Sequence, residues 1–298
     1  MITKMINKKS QFGSRFLTDE NDVFKENAWD DVKWSSEIES EITQKIKANS
    51  EFKVPDDIKS IHVNEAGNFW NNFYQIHDNN FFKDRHWLTT EYPELLNDNT
   101  ETTLNIFEVG CGVGNTIFPL LMKNKKNRVY IYGCDFSSHA INILKNHELY
   151  DEINSCQAFV ADVTNMNQSY PFEEESLDII TMIFVLSAIT PSKMSEVVVR
   201  LSKFLKPGGL FLFRDYGRCD LAQMRFKTGQ CLEDNFYVRG DGTMVYFFTE
   251  DEIDKLFTDR NNGNFEKVGI FTDRRLLVNR AKQSKMYRVW LTGKFRKL

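Results

Sequence analysis

Short apolar runs alternate with amphipathic stretches over the last two-thirds of the chain. The apolar runs predict strands at 104–109, 129–134, 156–161, 177–186 and 210–215. The amphipathic stretches between them predict helices at 115–124, 137–150 and 194–205. Strands that alternate with helices in this way predict a parallel sheet with helices on both of its faces.

The end of the chain breaks this alternation. Two further strands are predicted at 265–278 and 286–295, and because no long helix separates them they should form an antiparallel pair. The run at 177–186 is apolar at nearly every position, which is typical of a strand buried on both faces. The expected fold is therefore α/β and doubly wound, with a mostly parallel seven-stranded sheet.

The first third of the chain has a different composition. Residues 1–65 are polar and poor in apolar periodicity, which predicts an extension of short helices without a core of its own. A helix is expected at 64–77, then an extended aromatic segment at 81–96 and a polar linker at 97–103. The chain therefore divides into a mainly helical N-terminal extension, 1–100, and one α/β domain, 101–298.

Cysteine usage and hydropathy limit the class of protein. The five cysteines are an odd number without a C-x-x-C pair, so we expect no bound metal, no disulfide framework and a reducing compartment. No apolar run approaches the roughly 18 residues of a membrane span. We expect a cytoplasmic protein, with the nucleus as a further location. The acid-free stretch around Lys4, Lys8 and Lys9 leaves a mitochondrial leader as the less favoured alternative.

Charge is distributed unevenly along the chain. The net charge is −4, yet the last 25 residues contain nine basic side chains and no acidic one. A local excess of positive charge is typical of surfaces that contact nucleic-acid phosphates, although a solvated pair of basic strands is the alternative. Arg280, Lys282 and Lys285, near the turn between the last two predicted strands, are therefore candidate RNA-binding residues.

A glycine-rich sequence, EVGCGVG at 108–114, follows the first predicted strand. Glycines allow the backbone to turn sharply and to approach a ligand at the start of the next helix. Dinucleotide enzymes use G-x-G-x-x-G, whereas this spacing is G-x-G-x-G, and Asn115 stands where their third glycine would fall. The loop therefore favours S-adenosylmethionine, with Gly110 and Gly112 as binding residues.

Residues at the ends of the next strands extend this predicted cofactor site. Asp135 ends the second strand, where its carboxylate can accept hydrogen bonds from both ribose hydroxyls. Asp162 ends the third strand and is placed to contact the adenine amino group, with the Val163 backbone beside it. Ile183, near the end of the fourth, supplies an apolar wall.

A strand-end cap is the alternative role for either aspartate alone. Their order along the chain, followed by the turn KPGG at 206–209, predicts a class I methyltransferase of Rossmann-like fold. Two signatures of other nucleic-acid methyltransferases are absent. No proline is followed by cysteine, as cytosine C5 methylation requires, and the fourth strand lacks an Asp/Asn-Pro-Pro-aromatic box.

Long segments match one known family, among them FWNNFYQIHDNNFFKDRHWL at 69–88 and others at 12–34, 182–194, 212–226, 230–253 and 273–291. In these segments the chain resembles the eukaryotic tRNA N3-methylcytidine methyltransferases, and 12–34 is similar to the branch that acts on threonine tRNAs. The resemblance covers nearly the whole chain. It implies that Trp70 and Tyr74 face the cofactor, and that the substrate is cytidine at position 32 of the anticodon loop.

Cytosine N3 has an available lone pair, so direct in-line transfer needs orientation and negative charge rather than a covalent nucleophile. Asp215, at the end of a central strand, is the carboxylate expected to contact the cytosine amino group. Tyr216, Arg85 and His86 are expected to position the base and the backbone. The remaining candidate tRNA-binding residues are Phe82, Lys83 and Trp87 in the aromatic segment, and Arg239.

Three other functions stay open at this point. They are serine-tRNA N3-cytidine methylation, methylation of a small molecule, and a catalytically silent adaptor that binds RNA. The basic C-terminus argues against a small-molecule enzyme, and the intact aspartates argue against a silent adaptor. We expect a monomer that binds the tRNA anticodon arm, and an aminoacyl-tRNA synthetase or another helper protein is a candidate partner.

Overall fold

The structure is a computed structural model, and it describes residues 15–97, 101–124, 128–153, 155–260 and 263–298. The residues of the leader alternative, Lys4, Lys8 and Lys9, lie outside these ranges, as does part of the predicted linker at 97–103.

Strands and helices alternate over much of 104–216, as the apolar pattern predicts, although the described residues between the strands at 156–160 and 177–183 form no helix. The strands are β1 (Ala28–Asp30), β2 (Leu104–Val109), β3 (Val129–Asp135), β4 (Cys156–Val160), β5 (Leu177–Ile183), β6 (Leu205–Tyr216), β7 (Cys231–Glu233), β8 (Phe236–Val238), β9 (Met244–Tyr246), β10 (Phe265–Asn279) and β11 (Ser284–Lys297). The helices are α1 (Ser36–Ser50), α2 (Asp56–Asn64), α3 (Ala66–His77), α4 (Leu88–Glu91), α5 (Ile117–Lys123), α6 (Ser138–Lys145), α7 (Glu148–Ile153), α8 (Pro191–Ser202), α9 (Leu221–Met224) and α10 (Glu250–Thr258).

One large sheet has the strand order β1-β10-β11-β6-β5-β2-β3-β4. The strands from β6 to β4 in this order run parallel to one another, whereas β11 pairs with β6 and β10 pairs with β11 in the antiparallel direction. Separate apolar clusters bury the two faces of the sheet. The predicted doubly wound α/β fold is confirmed, and β1 adds an eighth strand to the expected seven.

The extra strand comes from the N-terminal extension, where only short helices were expected. Trp29 in β1 is buried, and its indole N–H donates to the Val23 carbonyl at 2.8 Å. The strand pairs with β10, and Trp29 packs against Leu276 and Val278. A three-residue edge strand has no periodicity of its own, because its partner lies more than 240 positions later in the chain.

Several predicted boundaries differ from the observed ones. The helix predicted at 137–150 is two helices, α6 and α7, with Ser137 accepting from the Ala140 amide as the N-terminal cap. β5 ends at Ile183 rather than at 186, because Phe184 has a positive φ of 61°. The segment predicted to be extended at 81–96 contains α4.

A second, three-stranded sheet of β7, β8 and β9 was not predicted. The sequence does contain a signal for it, because Asp241-Gly242 between two apolar runs indicates a β-hairpin. The small sheet lies beside the end of β6, where the Phe248 amide donates to the Tyr216 carbonyl at 2.9 Å. It therefore adds side chains to the edge of the large sheet where the parallel strands end.

Candidate active site

A cavity of about 570 Å³ lies at the carboxyl edge of the parallel strands. In open α/β sheets, ligands bind at this edge, in crevices between the strand ends. Residues that follow β2, β3 and β4 line one end of the cavity, which we call the β2–β4 end. Residues that follow β5 and β6, together with the turn between β8 and β9, line the other end, which we call the β6 end.

The glycine loop 110–114 forms the floor of the β2–β4 end. Gly112 has a φ of 53°, and a Cβ atom on it would lie 2.6 Å from the Tyr74 hydroxyl. The Cys111 amide donates to the Cys134 carbonyl at 2.9 Å, which joins the loop to the end of β3. The loop is thus a cradle of bare backbone that a side chain would fill.

Asp135 stands beside this loop at the end of β3. One carboxylate oxygen accepts from the Gly112 amide at 3.0 Å, and the other accepts from the Ser137 amide at 2.9 Å. Burial raises the pKa of Asp135 to about 6, although these two amides favour the charged form. The carboxylate lines the cavity, where it retains acceptor capacity for the hydroxyls of a ligand.

The other predicted cofactor-binding residues also line the cavity, namely Trp70, Tyr74, Gly110, Asp162, Val163 and Ile183. Asp162 Oδ1 accepts from the Thr164 amide and hydroxyl at 2.8 and 2.7 Å, which fixes the carboxyl group at the end of β4. Helix α3, which carries Trp70 and Tyr74, is held in place by Asn71, whose side-chain oxygen accepts from the Ser137 hydroxyl at 2.8 Å.

Arg85 joins the aromatic segment to the glycine loop. Its guanidinium donates to the Thr116 hydroxyl at 2.9 Å and lies 3.4 Å from the Glu108 carboxylate, and its amide donates to the Asn115 carbonyl. Burial raises the pKa of Glu108 to about 7, and the nearby Arg85 charge opposes this rise. Arg85 also lines the cavity, so its predicted position in the site agrees with the structure.

At the β6 end, Tyr216 and Arg239 line the cavity as predicted members of the site. Arg239 Nη1 donates to the Met244 carbonyl at 3.1 Å and to the Thr243 hydroxyl at 3.3 Å. Its guanidinium carbon lies 5.9 Å from the centre of the Tyr216 ring. The small sheet therefore holds a cation directly over an aromatic ring at the end of β6.

The structure does not agree with direct contact between Asp215 and the base. Asp215 is fully buried and is not among the residues that line the cavity. Its two oxygens accept from the amides of Ser187 at 2.9 Å and of Tyr216 at 2.8 Å, and burial raises its pKa to about 6. Asp215 therefore lies behind the cavity wall, where it holds the chain segment after β5 through the Ser187 amide.

Two residues of the aromatic segment also differ from their predicted roles. The His86 side chain is exposed and lies outside the cavity, because the chain turns into α4 and directs it away from the site. Trp87 is half-buried against the core, the Arg214 guanidinium lies 5.0 Å from its ring centre, and its side chain does not line the cavity. Phe82 lines the cavity, and Lys83 is exposed.

The β10–β11 hairpin carries Arg280, Lys282 and Lys285 beyond the carboxyl edge of the sheet, whereas Lys294 and Arg296 lie alongside β6. Trp290 pairs with Tyr216, the last residue of β6, and β11 starts six residues earlier, at Ser284. At about 3.4 Å per residue, the hairpin therefore projects about 20 Å past β6. Arg280, Lys282 and Lys285 lie at its tip, on the edge of the sheet that contains the cavity.

Some of these basic side chains already contact other residues of the protein. Lys285 forms an ion pair with Glu20 at 3.0 Å, and Arg280 donates to the Lys25 carbonyl at 3.5 Å. Arg288 in β11 donates to the buried Asp220 at 2.8 Å. The nine charges therefore include structural ones that a count along the sequence cannot separate.

Sequence analysis missed several residues that line the β6 end, among them Phe184, Ser187, Lys193, Asp241 and Thr243. The hairpin sequence around Asp241 was a usable signal for two of them. Neither a cluster of His, Cys, Asp and Glu suited to a metal ion nor a helix able to cross a membrane occurs in the described ranges.

A parallel sheet with a glycine loop after its first strand and aspartates after the next two defines a class I methyltransferase. Residues 107–211 match a family model described as Methyltransferase domain. A solved S-adenosylmethionine-dependent methyltransferase from Clostridium acetobutylicum has the same fold, with a TM-score of 0.51 at 15% identity over 76% of this chain and 98% of its own.

Two curated relatives define the family more narrowly. The tRNA N(3)-methylcytidine methyltransferase Mettl2 of Drosophila melanogaster is 51% identical over 99% of this chain and 91% of its own length. The tRNA(Thr) (cytosine(32)-N(3))-methyltransferase of Saccharomyces cerevisiae is 43% identical over 96% of this chain and 45% of its own length. The chain belongs to the tRNA N(3)-cytidine methyltransferases, as its sequence resemblance implies.

Proposed function

We propose that this enzyme transfers a methyl group from S-adenosylmethionine to N3 of cytidine 32 in the anticodon loop of threonine tRNAs. The observation that carries the proposal is a cavity with two chemically different ends. One end has the backbone cradle and carboxylates suited to a nucleoside with a methionine chain, and the other has aromatic rings and a guanidinium. The similarity to the yeast threonine-tRNA enzyme supports the choice of substrate.

The residues of the β2–β4 end fit S-adenosylmethionine. Asp135 would accept from the ribose hydroxyls and Asp162 from the adenine amino group, while bare backbone at Gly110 and Gly112 admits the methionine chain. Tyr74 and Trp70 would cover the ligand from α3. When bound, S-adenosylmethionine would supply a methyl group bonded to a sulfonium sulfur, and S-adenosylhomocysteine would leave as a neutral thioether.

The acceptor nitrogen carries a lone pair, so no residue has to remove a proton before the attack. The chain's task is to hold an unpaired cytosine in line and to exclude water. Asp215 fixes the segment after β5 through the Ser187 amide, and Arg85 fixes the aromatic segment against the glycine loop. Both act by positioning, since neither is a nucleophile in a direct transfer.

Mass analysis of nucleosides from tRNA incubated with the protein and methyl-labelled cofactor tests this proposal. We expect labelled 3-methylcytidine from threonine tRNA without any added protein. Label in serine tRNA alone, label that appears only after a synthetase is added, or label in no nucleoside would each contradict the proposal as stated. At a cofactor concentration below the wild-type Kd, Asp135→Ala protein should give about tenfold less label, and equal label would reveal transfer by a contaminant.

A further inference from the structure

We propose that Phe184, Tyr216 and Arg239 form the slot that receives the target cytosine, with the Phe184 ring as its stacking wall and Arg239 as the donor to cytosine O2. This inference rests on the proposed function and deepens it. In the large sheet, β6 is separated from β3 by β5 and β2. At about 4.8 Å per strand, the β6 end lies about 14 Å from Asp135.

This spacing leaves the β6 end for the methyl acceptor. The residues that fit the ribose and adenine follow β3 and β4, and the cradle for the methionine chain follows β2. The next strand ends along the sheet are those of β5 and β6, where Phe184 and Tyr216 line the same cavity. A base that accepts the methyl group therefore meets these two rings.

The backbone of Phe184 supports a functional role for its ring. A bulky residue with a φ of 61° is a genuine conformational outlier, and such outliers cluster at functional sites. The Phe184 amide donates to the Arg214 carbonyl at 2.7 Å, and Asp215 holds the next turn through Ser187. The chain is thus fixed in a strained conformation that places an aromatic ring in the cavity.

The two rings form one surface. Their centroids lie 5.1 Å apart at an interplanar angle of 49°, so a base stacks on one of them and does not insert between them. Arg239 covers Tyr216, which leaves Phe184 as the stacking wall. Aromatic walls of this kind bind unstacked bases of any identity, so a polar group is needed to orient the pyrimidine.

Arg239 supplies that group. A guanidinium has five N–H donors and no acceptor, and within the described part of the chain its hydrogen bonds to Met244 and Thr243 use Nη1 alone. The remaining donors match cytosine O2, the acceptor adjacent to N3, and cannot match the N4 amino group. The turn around Arg239 is rigid, since Asp241 Oδ1 accepts from the Thr243 amide and hydroxyl.

The stacking wall is tested with Phe184→Leu, which removes the ring, and Phe184→Tyr, which keeps it. Phe204→Leu is the matched control, because Phe204 is a half-buried ring at the opposite end of β6. We expect Phe184→Leu to lower kcat/KM on an anticodon stem-loop about tenfold, the scale of one base stack. Phe184→Tyr should recover most of the activity that Phe184→Leu loses, Phe204→Leu should stay within about twofold of wild type, and cofactor Kd should be unchanged in all three.

A binding readout accompanies the kinetics. Pyrrolocytidine at the target position, with S-adenosylhomocysteine present, should be quenched by stacking in the wild-type complex and should remain bright in the Phe184→Leu complex. Equal quenching and equal kcat/KM in these two proteins would overturn the stacking wall. A parallel loss of cofactor affinity in Phe184→Leu would also overturn it, because the ring would then belong to the cofactor site.

The donor is tested by pairing Arg239→Met with 2-thiocytidine at the target position, since sulfur is a weak acceptor. Wild-type protein should lose about tenfold in kcat/KM on the thio substrate, whereas Arg239→Met should treat both substrates alike. An equal thio effect in both proteins would overturn the O2 contact. If wild-type protein makes no 3-methylcytidine at all, the proposed function fails. If it does, and if Phe184→Leu and Arg239→Met behave like wild-type protein, only the proposed slot is wrong.

Discussion

The two ends of the cavity differ in how their residues are distributed along the chain. Most of the β2–β4 end comes from residues at or just after the ends of three neighbouring strands, and α3 adds Trp70 and Tyr74. The β6 end is assembled from the turn after β5, the end of β6 and a separate small sheet. The first end is therefore encoded in local motifs, whereas the second depends on tertiary packing.

The largest expected effect comes from filling the cradle. Gly112→Ala combines a strained φ with a Cβ atom 2.6 Å from the Tyr74 hydroxyl, so cofactor affinity should fall about 100-fold, or about 2.7 kcal/mol. Gly208→Ala is the matched control, because Gly208 also has a positive φ but open space around it. Calorimetry should find normal cofactor affinity in this control, and an equal loss in both variants would refute the cradle.

The next effect tests the support behind the β6 end. Asp215→Asn replaces an acceptor of two buried amides, so the free energy of unfolding should fall by about 1–3 kcal/mol. Turnover should fall as the Ser187 turn loosens, while cofactor affinity stays near wild type. Thermal unfolding and single-turnover rates measure the two losses. A large loss of turnover at unchanged stability would instead support the sequence-based prediction that this carboxylate contacts the base.

A smaller effect is expected at the other end from Asp135→Ala. Loss of the ribose contact should weaken cofactor binding at least tenfold, about 1.4 kcal/mol, in a folded protein. Calorimetry checks this directly, and an unchanged Kd would show that Asp135 does not bind the cofactor.

Asp135 also predicts a pH dependence. Its pKa near 6 means that the cofactor-binding carboxylate is ionised above pH 6 and protonated below it. Cofactor affinity should therefore fall by up to tenfold per unit as pH drops below about 6, and Asp135→Ala should lack this fall. Because the folded pKa lies above the unfolded one, the folded protein binds the extra proton. This group's contribution to stability is therefore present below pH 4 and is lost as pH rises through 6.

The smallest effect concerns the hairpin tip. Lys282→Glu should reduce the slope of log tRNA affinity against log salt concentration by about one unit, with no change in cofactor binding. Reversal of Lys285 should reduce it less, because Lys285 already pairs with Glu20. Binding titrations at several salt concentrations measure both slopes. Wild-type slopes in both variants would show that tRNA phosphates contact another part of the molecule and not the hairpin tip.

The same contrast explains what the sequence could predict. Strand ends after apolar runs located Asp135, Asp162 and the glycine loop, because each motif adjoins the strand that positions it. The sequence alone could not place Phe184, since a positive φ at a phenylalanine results from contacts with β6. It also placed Asp215 at the correct strand end but could not show that the carboxylate is buried behind the wall.

Primer extension tests most directly whether the enzyme methylates N3 of one loop cytidine. Methylation at N3 blocks Watson–Crick pairing, so reverse transcription of a threonine tRNA transcript treated with enzyme and cofactor should stop at position 32. A transcript with uridine at that position should give no stop and no incorporated methyl label. Label incorporated equally into both transcripts would contradict the account.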